Sequence, residues 1–379
     1  MLYLDHNATS PLRPEARSAM SRAAENGGNP SSVHVSGRAA RAAIEDARDS
    51  IASLVSRPAK DVIFTSGGTE ANALALWGAI HGALEAEARF TRIFVSAVEH
   101  PSVIANAAAI AERVPGVRVM EIPVTVEGIV NTGALQIMLR EGKGRTLVAT
   151  MAVNNETGVI QPLDAITAHV REAGALLLVD AVQAAGKMPV SFDADYLTLS
   201  GHKLGALQGV GALIVKESAP FAALVRGGGQ ERGKRAGTEN VVGIASFGAV
   251  AGVPLDLANL AGLRDRFEAG LRARWTDTIV FGGTAPRIAN TSNFAIPGLT
   301  AEIALMALDL DGICVSSGAA CSSGKVGASP VLTAMGVADN LADCALRVSF
   351  GWNSQEADVD ALLASLEKLI ARARPRAAA

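Results

Sequence analysis

The sequence predicts an α/β fold, with a large domain on a mainly parallel seven-stranded sheet and a smaller α+β domain beside it. Apolar, β-rich runs alternate with helical patterns along the first two-thirds of the chain, as an α/β domain requires. The strand-like runs are uninterrupted rather than alternating, which implies burial on both faces and a sheet covered by helices. After about Leu255 the pattern loosens into helix-rich segments with few strands. A chain of 379 residues is also too long for one hydrophobic core, so about two domains are expected.

In order, "DVIFTS" from Asp61 reads as a strand that runs into "GGTEANALALWGAI", a helix beginning at a glycine-rich turn. "TRIFVSA" from Thr91, "GVRVMEI" from Gly116 and "RTLVATM" from Arg145 are further strands, separated by helical "SVIANAAAIAERV" and "TGALQIMLREG". "ALLLVDAVQ" from Ala175, "DYLTLS" from Asp195 and "GALIV" from Gly211 complete the sheet. Beyond Leu255, "RIANTSNFAI" from Arg287 and "ALRVSFG" from Ala345 are strands of the smaller domain. No repeat of solenoid period is visible.

The net charge of −3 argues against nucleic acid or an anionic membrane as the main partner. Cys314, Cys321 and Cys344 form no CxxC pair and leave an odd thiol under any pairing, so a reducing, cytoplasmic setting is expected. "MLYLDHNATS" has no basic region before an apolar stretch, hence no secretory signal is expected. The longest weakly polar run, Val241 to Leu255, is shorter than the roughly 20 residues of a membrane span. The six histidines show no HExxH or other ligand spacing, and no metal is expected.

Chemistry-bearing residues gather at predicted strand ends, where open α/β sheets bind ligands. Lys203 is the only charged residue from Thr198 to Val215 and sits among four glycines. Partial burial would lower its pKa and suit it to Schiff-base formation; snorkelling from a strand end is the other reading. "TSGGTE", Thr65 to Glu70, could close backbone N–H groups on a phosphate with help from Thr69, or could simply be a tight turn before a helix. Asp180 at the end of "LLLVD" could hold a protonated pyridine nitrogen, with Gln183 on a neighbouring oxygen, or cap the next turn. A lysine, an acid for a ring nitrogen and a phosphate cradle together describe a site for pyridoxal 5′-phosphate.

Ten segments then stand in one order along nearly the whole chain: "YLDHNATSPL", "GNPSSVH", "FTSGGTEANALAL", "VEHPSV", "NNETG", "DAVQ", "SGHK", "GGGQERGKRAGTEN", "SSGAACSSG" and "RVSFG". In these the sequence resembles cysteine desulfurases of the NifS/IscS type, within the class V aminotransferase superfamily of pyridoxal-phosphate fold type I. The resemblance implies that Lys203 carries the cofactor and that His100 stacks on its ring and helps move protons. It implies Asp180 at the ring nitrogen, Gln183 at the phenolic oxygen, and Gly68, Thr69, Ser200 and His202 at the phosphate, joined by Thr238 of a partner subunit. Asn155 and Arg347 would clamp the carboxylate of L-cysteine; for Arg347 inside a strand, pairing with a structural carboxylate is the competing reading. Gly227, Gly228, Gly229 and Arg235 would shape a loop crossing to that partner in a homodimer.

It further implies a large domain over residues 15–255, with residues 1–14 and 256–379 forming the small domain and a catalytic cysteine loop at about 315–332. Within that loop Cys321 lies among serines, glycines and alanines, the surroundings of an exposed nucleophile. Cys314 and Cys344 read instead as packed small hydrophobes. The implied reaction converts L-cysteine to L-alanine with a persulfide on Cys321, whose sulfur passes to an acceptor protein such as an iron–sulfur scaffold. Selenocysteine lyase or aminotransferase chemistry on the same fold is the alternative, as is a cofactor-free interaction protein; the former would not need Cys321. Ala206-Leu207-Gln208-Gly209 departs from the Gly-Pro-Lys-Gly type sequence often found after the lysine, which bears on loop shape rather than on Lys203.

Overall fold

The computed structural model describes residues 1–142, 144–317 and 329–373. Seven strands form one sheet, in the spatial order Val62–Thr65, Gly211–Val215, Tyr196–Ser200, Leu176–Asp180, Arg145–Met151, Phe90–Ser96 and Arg118–Ile122. All pairings among the last five are parallel, whereas Gly211–Val215 is antiparallel to both of its neighbours. The reason is connection length. Residues 201–210 hold only a short 3-10 turn, and a parallel crossover needs a dozen or more residues, usually a helix.

The predicted alternation is visible in burial. The strands Val62–Thr65, Leu147–Met151 and Tyr196–Ser200 are buried at every position, as sheets covered on both faces require. One face packs on Ile44, Ile51 and Phe247 from the helices Val35–Leu54 and Val241–Ala251. The other packs on Leu74, Ile80 and Ile110 from Gly68–Glu85 and Pro101–Arg113.

A second core is built around Phe267, Phe294 and Phe350. It lies on a four-stranded antiparallel sheet ordered Ser316–Ser317, Ala345–Ser349, Thr291–Ala295, Ile279–Val280. Of "RIANTSNFAI" only Thr291–Ala295 is strand; Arg287 makes an isolated bridge with Val159. Leu4 belongs to this second core, and Leu2–Tyr3 pairs in parallel with Ile313–Cys314. That pairing lies at the margin of the core and leaves Cys314 half-buried, unlike Cys344, which is buried as expected. Among the described residues no helix is long and apolar enough to cross a membrane.

The N-terminal segment therefore runs from the second core to the main sheet. Asp5 bridges Ser349, and Asn7 and Ala8 arrive beside the ends of the parallel strands.

Candidate active site

A cavity of about 350 Å³ opens at the C-terminal ends of the parallel strands, within the range of small-molecule sites. Each strand delivers its side chain where the regular backbone stops. Asp180 is the last residue of Leu176–Asp180, Ser200 the last of Tyr196–Ser200, and Lys203 closes the 3-10 turn that follows. Gly68 and Thr69 open the helix after Val62–Thr65, and His100 caps the helix after Phe90–Ser96. All these residues line the cavity, with Gln183, His202, Asn155 and Arg347. Cys321 lies outside the described residues. Thr238 is exposed and lies outside this cavity.

Asp180 is 6% exposed and both its oxygens are engaged. Oδ1 accepts from Val182 N at 2.9 Å and Oδ2 from Asn72 Nδ2 at 2.8 Å. The turn-capping contact is present, and two neutral donors hold a carboxylate that also lines the cavity. Behind it Glu99 is buried, and burial and then the Asp180 charge hold its carboxyl well above the usual carboxylate range. Burial beside Asp180 thus disfavours a second negative charge at Glu99.

His100 Nδ1 accepts from Ser102 N at 3.1 Å and lies 2.7 Å from Ser102 Oγ. With Nδ1 an acceptor, the proton of the neutral ring is on Nε2. Burial lowers the pKa of His100, although Asp180 opposes the shift. Burial, then Lys203 and Lys187, lower that of His202 to about 4. Lys203 Nζ donates to Asn7 O at 2.7 Å and Ala8 O at 2.6 Å, so the N-terminal segment holds the lysine head.

The turn at Gly68 is made for close approach: a Cβ there would stand 2.9 Å from Val182 Cγ2 and 3.3 Å from Ser200 Cβ. The bare helix N-terminus, without a side-chain cap on its first turn, leaves backbone N–H groups for an anion. With Thr69, Ser200 and His202 around it, this corner fits a phosphate. Among the described residues the lining carries two basic side chains, Lys203 and Arg347, against one acid, Asp180. Such a set suits an anionic cofactor together with a substrate carboxylate, and pyridoxal phosphate fits the residues present.

Arg347, on Ala345–Ser349, is 2% exposed. Its Nη2 donates to Asp5 Oδ1 at 2.7 Å and its Nη1 to Asn155 O at 3.0 Å, while Nε is buried with no partner among the described residues. Pairing with a structural carboxylate is therefore real, yet the guanidinium keeps an unused N–H edge. Asn155 is presented by a turn in which Asn154 Oδ1 accepts from Glu156 N and Thr157 N, both at 2.9 Å. Arg235 reaches Glu70 at 2.9 Å, tying the glycine-rich 227–240 loop to the helix behind the Gly68 turn.

Asp5, Asn7 and Asn72 were assigned no role from the sequence. Asn72 bridges Asp180, Ser102 Oγ at 2.9 Å and Thr198 Oγ1 at 2.7 Å. Asn7 is 1% exposed and uses every polar atom it has. Both lie inside recognisable segments, "YLDHNATSPL" and "FTSGGTEANALAL", which was the signal available. Nothing local distinguished these amides from surface ones.

Residues 2–362 match the family model of class-V aminotransferases. The chain is 40% identical to an IscS-like cysteine desulfurase of Mycobacterium tuberculosis, over 100% of this chain and 98% of the relative. It is 41% identical to a cysteine desulfurase of Cereibacter sphaeroides, over 98% and 96%. Among solved structures, a NifS-like protein from Rickettsia africae superposes with a TM-score of 0.87 at 31% identity, covering 98% of this chain and 99% of the other.

Proposed function

The chain belongs to the class-V aminotransferase family, and from that premise we propose that it is a pyridoxal-phosphate-dependent cysteine desulfurase. It converts L-cysteine to L-alanine and takes up the sulfur on Cys321. The observation that carries the reading is the convergence of Lys203, Asp180, the Gly68 turn and Arg347 on one cavity.

When bound, pyridoxal phosphate supplies an electron sink for the bonds broken at the substrate carbons. The protein's part is binding, orientation and proton transfer. Asp180, fixed by Asn72 and Val182, keeps a proton on the ring nitrogen by its negative charge. The Gly68 turn with Thr69, Ser200 and His202 holds the phosphate, and Thr238 reaches the corresponding site of a partner subunit. Arg347 and Asn155 orient the substrate carboxylate, leaving the Cα hydrogen within reach of Lys203. His100, neutral with its proton on Nε2, donates to or stacks beside the ring.

Cys321 as thiolate attacks the substrate sulfur. The carbon–sulfur bond breaks with its electrons on the three-carbon fragment, which takes up protons and leaves as alanine, while the transferred sulfur stays as a persulfide. Sulfur then passes to an acceptor protein such as an iron–sulfur scaffold, in a cytoplasmic setting where thiols stay reduced. Residues 15–255 act as the cofactor domain, and residues 1–14 with 256–379 as the domain carrying the cysteine.

The test is to incubate the purified, cofactor-loaded protein with L-cysteine and a reductant and to assay alanine and sulfide. Equal amounts of both are expected. Alanine or pyruvate without sulfide in that ratio would move the protein to another reaction of its family.

A further inference from the structure

Behind the cavity, outside its lining, lies Lys187. It is 5% exposed, and among the described residues no carboxylate is within ion-pair distance of it. Its Nζ donates to Gln183 Oε1 at 2.7 Å and to Asn7 Oδ1 at 3.2 Å. The charged groups that act on it are basic, Lys203 and Arg347, and its own charge is felt by His6 and His202. Burial, then these two cations, lower its pKa to about 7. A buried amine without an anion is costly. Its neighbours show what it does.

Gln183 lines the cavity, and its two amide ends are held differently. Nε2 donates to Asn7 O at 2.9 Å, and Oε1 accepts from Lys187. An amide can rotate to exchange oxygen and nitrogen, but a protonated lysine head, the form present below about pH 7, has no acceptor to offer an NH₂ group. Rotation of Gln183 would set donor against donor at Lys187 and acceptor against acceptor at Asn7 O. Asn7 is fixed in the same way: its Oδ1 accepts from Lys187 and from Asn290 Nδ2 at 3.2 Å, and its Nδ2 donates to Thr291 Oγ1 at 2.9 Å.

We propose that Lys187 is a positioning residue that locks the Gln183 amide so that its NH₂ group, and not its carbonyl, serves the cavity. One Nε2 hydrogen goes to Asn7 O, and the second is given to an anionic oxygen of the cofactor ring. The proposal rests on the cofactor reading above and adds a residue that touches neither cofactor nor substrate. A donor at that corner stabilises the ring phenolate, so it lowers the pH at which the visible band of the loaded protein titrates. Without the lock the carbonyl can face the phenolate and the band holds its proton longer.

The experiment is a pH titration of the visible absorbance of the pyridoxal-phosphate-loaded protein, with wild type, Lys187→Met, Lys187→Gln, Gln183→Ala and Gln183→Ala/Lys187→Met compared. In Lys187→Met the midpoint rises by about one pH unit, the scale of one hydrogen bond to a charged group. Lys187→Gln keeps an uncharged donor for Oε1 beside an acceptor, a partial lock, and its midpoint moves less than that of Lys187→Met. The double variant titrates like Gln183→Ala alone, because the lysine acts through the glutamine. An unchanged midpoint in Lys187→Met, a Lys187→Gln midpoint displaced as far as that of Lys187→Met, or additive effects in the double variant would each overturn the proposal. If Lys187→Met loses cooperative melting, Lys187→Gln decides alone: a full-unit displacement there refutes the lock. A wild type that gains no visible band with pyridoxal phosphate overturns the cofactor reading itself, and the proposal with it.

Discussion

Arg347→Leu tests the clamp. The guanidinium spends one N–H on Asp5 and one on Asn155 O, and its Nε is unpartnered among the described residues at 2% residue exposure. A substrate carboxylate reaching the guanidinium from the cavity would take charge-assisted hydrogen bonds, each worth about 1.5–3 kcal/mol. Removing a buried partner of this kind costs about 2–5 kcal/mol, so the KM for L-cysteine should rise by a factor of about 30 to several thousand. The cofactor contacts at Asp180, Gly68 and Ser200 are untouched, and the visible spectrum of the loaded protein should be unchanged. The same substitution strips Asp5 of its cation, and the thermal midpoint should fall by a few degrees. Initial rates of alanine formation against cysteine concentration, with melting curves alongside, provide the measurement. A KM within twofold of wild type in a folded variant would show that the carboxylate binds elsewhere and that Arg347 serves Asp5 only.

Lys203→Ala should retain no measurable turnover while still binding pyridoxal phosphate; alanine release at the wild-type rate would refute the assignment of Lys203. Cys321→Ala should still change its visible spectrum on addition of L-cysteine but accumulate neither alanine nor sulfide, and sustained alanine production would remove the persulfide step. Glu156 is buried and its carboxyl is pushed up to about 7, burial outweighing its bond from Ser329 Oγ and the Arg347 charge. Its folded-state pKa exceeds its unfolded value, so the contribution to stability is complete below about pH 4.5 and is lost as pH rises through about 7. Glu156→Gln, which keeps an acceptor for Ser329, should flatten denaturation free energy against pH across that window, by at most about 3 kcal/mol; an unchanged slope would mean that Glu156 is ionised throughout.

The parallel sheet is legible because its central strands are buried on both faces and so read as apolar runs without alternation, as in "RTLVATM" and "ALLLVD", whereas the edge strand Arg118–Ile122 is exposed along most of its length. The antiparallel placement of Gly211–Val215 follows from connection length, but the strand composition alone does not reveal it. Lys203 and Asp180 stood out because a charge inside an apolar run needs an explanation. Asn7, Asn72 and Lys187 did not, since an amide or a lysine carries no local mark of burial. Their roles arise from partners far off in sequence, as with Asn72 to Asp180 or Asn7 to Lys187. Arg347 has two readings from sequence; the pairing with a structural carboxylate is seen at Asp5, and the substrate clamp is the one that the KM measurement tests.

The segment from Leu2 to Ala8 has a consequence in time as well as in space. Asp5 meets Arg347, and Asn7 N donates to Ser349 Oγ at 2.9 Å, across 342 residues of intervening chain. Contacts of such separation form late, because the entropy of closing the loop must be met before they return anything. During synthesis the seven-strand sheet can assemble before Ser349 has been made, since its last strand ends at Val215. Asn7 is held to Gln183, Lys187 and Lys203 on the side of the main sheet, and its remaining bonds, to Thr291 Oγ1, Asn290 Nδ2 and Ser349 Oγ, are completed only when the late strands are in place. A half-made chain therefore has the floor of the cavity, while the far side of Asn7 and the partner of Asp5 arrive last, with the strand Ala345–Ser349.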